Sequence, residues 1–151
     1  METNENAVEV LNDLIEINND RIKGYERAIE ESEIDDSDLK SIFAQMATES
    51  RQYKQALTDL VVSLGGDVDK GTTASGKIYR AWMDVKATFT GNSRKSILEN
   101  CEFGEDAAQK AYRSALQDED LPSSFRTLVM EQQQALKVSH DKIKMLRDQQ
   151  S

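Results

Sequence analysis

Apolar residues recur at helical spacing through four long segments of the chain, each bounded by polar or turn-forming residues. The first runs from about Ala7 to Glu31. It places Leu11, Ile15, Asn18, Ile22, Tyr25 and Ile29 on one face, with Leu14 beside them and the polar opening METNEN expected to fray. A turn-like SEIDDSD follows, after which Asp36 or Ser37 can cap a second helix. Its apolar positions are Leu39, Ile42, Phe43, Met46, Tyr53, Leu57, Leu60, Val61 and Leu64, and Gly65-Gly66 predict its end. Asn92 or Ser93 can cap a third helix, on which Leu98, Cys101, Glu105, Ala108, Tyr112 and Ala115 share a face. After QDEDLPSS, with Pro122 suited to an early helical position or the turn before it, a fourth runs from about Ser123 to Arg147. Its face holds Phe125, Val129, Leu136, His140 and Ile143 and continues through Gln132 or Gln133. Between the second and third helices, residues 67–92 are too many for a hairpin, and GKIYRAWMDVKATF within them reads as a short amphipathic helix. A connection of that length predicts an all-α, up-down-down-up four-helix bundle, with up-down-up-down as the alternative.

Composition narrows the class. A chain of 151 residues fits one domain, 1–151 with its core at about 7–147, and 38% hydrophobic residues with one Pro and seven Gly suit long helices. The net charge of -9 argues against phosphate backbones and anionic lipid, and Lys and Arg are interleaved with acids rather than gathered in a patch. Neither nucleic acid nor membrane is therefore an expected partner. Cys101 is the only cysteine and reads as a small core residue. No leader-like start and no apolar run near ~18 residues is present, which predicts a soluble, cytoplasmic chain.

The chemistry centres on Glu105, a carboxylate in the buried stripe of the third helix. A charge there needs a cation, a metal or several donors, because a bare buried carboxylate is costly by several kcal/mol or more. Inward polar groups stand near mid-helix elsewhere: Asn18, Ser50 and Tyr53 with Glu49 beside them, and His140, the only histidine. Four helices contributing such groups at one height can build a metal site or a hydrogen-bonded polar layer.

The first helix resembles that of bacterioferritin-type proteins at Leu11, Asn12, Ile15, Ile22 and Tyr25, and the third at Glu105, Lys110, Arg113, Ala115 and Leu116. The resemblance implies a ferritin-like bundle with a degenerate di-iron site. Asn18 falls where the family has its first iron-binding Glu, while Ser50 and Tyr53 fall at a ligating Glu-x-x-His, or Glu49 and Gln52 after a one-residue slip. Ser139-His140-Asp141-Lys142 is similar to the family's Ala-His-Glu-Lys pattern, which puts Lys137 at a lost Glu. From Ala7 to Arg147 the chain is also similar to a bacterial group of stand-alone ferritin-like bundles of unknown function. The crossover Gly76-Lys77-Ile78-Tyr79-Arg80-Ala81-Trp82-Met83-Asp84-Val85-Lys86, the run Cys101–Ala108 and His140-Asp141-Lys142-Ile143 carry that likeness.

These resemblances imply a non-catalytic, structural or stress-related bundle without a cofactor, in which Tyr53, His140 and Lys137 hold Glu105. Alternatively, Glu105 and His140, with Glu49 if the register slips, bind iron, manganese or zinc in an oxidoreductase or metal-handling protein. A third reading is a protein-interaction module, with Trp82, Tyr79 and Met83 packing on the bundle or forming a homodimer face. Whether Ser50 or Glu49 faces Glu105 separates the first two.

Overall fold

A computed structural model describes residues 2–32, 36–68 and 94–150. Four helices occupy them: α1 Glu2–Glu31, α2 Ser37–Ser63, α3 Arg94–Gln117 and α4 Ser123–Asp148. The expected crossover helix, its Tyr79, Trp82 and Met83, and the Asn92 and Ser93 caps lie outside the described residues.

Hydrogen bonds between helices fix the direction of each. Asn12 Nδ2 donates to the carbonyl of Asp67 just after α2, while Arg21 donates to the Met46 carbonyl, so α1 and α2 are antiparallel. The pairs Asn18 with Tyr112 and Arg21 with Glu105 run oppositely along α1 and α3. Gln109 with the Gln133 carbonyl and His140 with Asp106 do the same for α3 and α4. At the start of α3, Arg94 donates to Asp36 (3.1 Å) and Asp38 (2.7 Å) at the start of α2. Two helix N-termini therefore meet, α2 and α3 are parallel, and the order is up-down-down-up. The same contacts explain why Asp36, although at the N-cap of α2, makes no capping bond: its carboxylate is turned toward Arg94. Arg94 also holds the Asp38 carboxyl down at about 2 through a direct hydrogen bond.

Helix ends follow local chemistry. Gly65, at φ +75°, and Gly66 return their N–H groups to the carbonyls of Val62 and Val61, satisfying acceptors that the end of α2 leaves open. A side chain on Gly66 would meet Val8 of α1 at 2.6 Å, so a glycine also lets α1 approach here. Arg126 from α4 donates to the carbonyls of Leu116 and Asp118 and closes the end of α3. The frayed opening expected from METNEN is corrected: α1 starts at Glu2, and Ala7 is fully buried one turn later.

The core forms two apolar halves. One holds Tyr25, Phe43, Met46, Leu98, Cys101 and Ile143; the other holds Leu11, Leu14, Leu57, Tyr112, Val129 and Leu136. Burial of each large aliphatic or aromatic side chain contributes about 1.5–3 kcal/mol, which is what drives the bundle together. Between the halves lies a polar layer.

Candidate functional site

The layer is built around two fully buried charges, Arg21 of α1 and Glu105 of α3. The guanidinium grips the carboxylate in a fork: Nε donates to Oε1, and Nη2 donates to Oε2 at 3.2 Å. Its Nη1 donates to Ser50 Oγ at 2.7 Å and to the Met46 carbonyl at 3.1 Å, both on α2. The Tyr25 ring lies 5.1 Å from the guanidinium carbon, within cation–π range. Burial works against the Arg21 charge, yet Glu105 outweighs it through charge and hydrogen bonding, with help from the charge of Glu49, and the guanidinium holds its proton more tightly than usual. Burial and the neighbouring Glu105 charge likewise keep the Tyr25 phenol protonated far above its ordinary range.

A neutral chain crosses all four helices beside this pair. Asn18 Nδ2 donates to the Leu14 carbonyl at 2.8 Å and to Tyr112 Oη at 2.9 Å. Tyr112 Oη donates to Gln132 Oε1 at 2.7 Å, and Gln132 Nε2 donates to the Tyr53 carbonyl at 3.2 Å. The first steps satisfy buried polar atoms, and the last is partly buried.

Of the residues expected in the layer, Asn18, Ser50 and Glu105 are there. Ser50, not Glu49, faces the pair, and Gln52 is exposed. Glu49 is half-buried on the α2–α4 side and accepts a long 3.4 Å bond from Ser139. Tyr53 enters through its backbone carbonyl, while its half-buried side chain packs against the second apolar half. His140 and Lys137 do not reach Glu105, and the reason is helical phase. The buried positions of α4 are Val129, Gln132, Leu136, Ser139 and Ile143, so Lys137 and His140 each sit one residue, about 100° of rotation, past a buried one. Lys137 is mostly exposed and pairs with Asp141. The set Glu105, His140 and Glu49 is therefore not brought together.

Arg21 is what sequence reasoning missed. Its signal was present: Ala7, Leu11, Leu14, Asn18, Arg21, Tyr25 and Ala28 alternate at spacings of four and three, and all are buried. Ile22, expected on the inward face, is half-buried and borders a surface groove with Lys23, Arg51 and Lys54.

His140 has partners of its own. Its Nε2 lies 2.5 Å from Asp106 Oδ1, and its Nδ1 lies 3.1 Å from Asp141 Oδ1. One turn before Asp106, Glu102 meets Arg147 at 2.5 Å, and Arg147 also reaches Asp148 at 2.7 Å. Burial lowers the imidazole pKa, but the bonds to Asp141 and Asp106, together with their charges, outweigh it and raise the net value above the usual 6.5. The folded chain thus binds this proton more tightly than the unfolded chain. The resulting stabilisation is complete below pH 6.5 and is lost as pH rises through the higher folded value. Urea unfolding across that window is expected to show a decline that His140→Gln flattens; equal slopes in both proteins would refute it.

A bundle of this topology with a mid-height polar centre is a ferritin-like bundle. The family model described as domain of unknown function DUF2383 matches residues 6–118, and the chain belongs to that family. Among solved structures it is similar to a mutant of Mycobacterium smegmatis Dps1, at 14% identity, with a TM-score of 0.82 over 97% of each chain. At that identity the likeness concerns the fold. No curated protein matches the chain by sequence. Among the described residues, no helix is long and apolar enough to cross a membrane.

Proposed function

We propose that this chain is a ferritin-like bundle whose core has exchanged di-iron chemistry for an internal ion pair, leaving a non-catalytic, structural role. The observation that carries the reading is the Arg21 guanidinium on both oxygens of Glu105. A di-iron centre of this fold draws on carboxylates from all four helices and on two histidines. Here Asn18 and Ser50 are neutral, His140 is turned away, and a fixed cation occupies the carboxylate that remains. A divalent ion would have to enter beside that positive charge, in surroundings where like charges repel far more strongly than in water. The residues present do not fit two metal ions.

The test is iron(II) added in air to chelator-treated protein, with metal content measured on protein purified without chelator. The expected result is no Glu105-dependent metal and no ferric absorbance above that of a Glu105→Gln variant shown to be folded by circular dichroism. One equivalent or more of core metal, lost in Glu105→Gln, would overturn the reading.

A further inference from the structure

We propose that Glu102, Asp106 and His140 form a site for a divalent transition-metal ion, with zinc(II) a fitting occupant, on the flank of the bundle where α3 meets α4. This inference does not rest on the reading of the core, since none of the three residues belongs to the Arg21–Glu105 layer.

Glu102 and Asp106 are one turn apart on α3 and project to the same side, and His140 reaches them from α4. One ligand atom from each residue lies within 4.8 Å of the other two. Ligands held at about 2.1 Å from one ion are no more than about 4.2 Å apart, so small side-chain adjustments close the set. Two helices are thereby bridged by one imidazole and two carboxylates.

The surroundings suit a metal-bound imidazole. Asp141 engages Nδ1 from the far side and leaves Nε2 directed at Asp106, the outer-shell arrangement that orients a ligating histidine. An ion would stand where the Nε2 to Asp106 hydrogen bond now runs. Arg147 holds Glu102 but already shares Asp148, so it keeps a partner when Glu102 turns to the ion. An imidazole nitrogen with two carboxylate oxygens favours zinc, iron or manganese over calcium or magnesium, whose sites are built from oxygen alone. Asp106 is 60% exposed, so the remaining coordination positions face solvent and the ion exchanges readily.

The chain carries one histidine, so its ring signals report on this site alone. Zinc(II) titrated into the chelator-treated full chain near neutral pH, followed by proton–carbon NMR of the imidazole, is expected to move those signals to a new position that saturates at one equivalent. Glu102→Gln and Asp106→Asn are each expected to weaken binding by about tenfold or more. Asp106 is exposed enough that its variant keeps the fold, which circular dichroism verifies. Ring signals that drift without saturating, or that saturate with wild-type affinity in both variants, would overturn the proposal. Because the readout is His140, a negative result here leaves the iron test of the core untouched.

Discussion

Replacing Arg21 with methionine is expected to lower the unfolding free energy by about 3–5 kcal/mol, the range found when a buried ion pair loses one partner. The loss is large because Glu105 keeps its full burial while its only charge-bearing hydrogen-bond partner among the described residues is gone. Ser50 and the Met46 carbonyl lose their donor as well. For a domain whose whole stability is about 5–15 kcal/mol, that is a substantial share. The double variant Arg21→Met, Glu105→Met is expected to recover most of it, because neither charge then has to be desolvated and the side chains fill similar volume. Urea unfolding of the wild type, both single variants and the double variant measures the coupling directly. A single variant that loses under about 1 kcal/mol, or a double variant as weak as the sum of the two, would show that the pair does not hold the centre as described.

Tyr112→Phe is expected to cost about 2 kcal/mol, at the upper end for one buried hydroxyl, because this hydroxyl serves two neighbours at once. It accepts from Asn18 and donates to Gln132, and its own burial keeps the phenol protonated well above the ordinary tyrosine range. Removing it leaves Gln132 Oε1 without its donor, while Asn18 keeps its bond to the Leu14 carbonyl. The change leaves the ring and its packing in place, so the loss reports hydrogen bonding rather than a cavity. A drop of less than about 0.5 kcal/mol in the urea midpoint analysis would mean that the chain from Asn18 to Tyr53 is not continuous in solution.

Much of the fold was legible because the apolar period is strong and the turns are chemically marked. On α3 every expected inward residue, Leu98, Cys101, Glu105, Ala108, Tyr112 and Ala115, is buried. Gly65-Gly66 end α2 as such residues do, and the length of 67–92 favours the up-down-down-up order that the contacts between helices then fix. The site was half legible. Glu105 announced itself as a buried charge, but its partner could be named only by knowing the axial register of α1 against α3, which no local pattern encodes. On α1 the choice after Asn18 lay between Arg21 and Ile22, and hydrophobicity alone favours Ile22. On α4, Ser139 holds the three-four position between Leu136 and Ile143 and is buried, whereas His140, expected inward, lies one residue past it. A single position of helical phase separates a core ligand from a flank histidine.

The ion pair also bears on how the chain avoids wrong structures. Helices that meet only through Leu, Ile and Ala can slide past one another by a turn, about 5.4 Å, and find nearly equivalent packing. Sliding α1 against α3 by that amount would draw the Arg21 guanidinium off Glu105 and leave both charges in an apolar layer without compensation. The pair therefore acts as a key for the alignment of α1 against α3, raising the energy of the misaligned bundles that an all-aliphatic centre would tolerate.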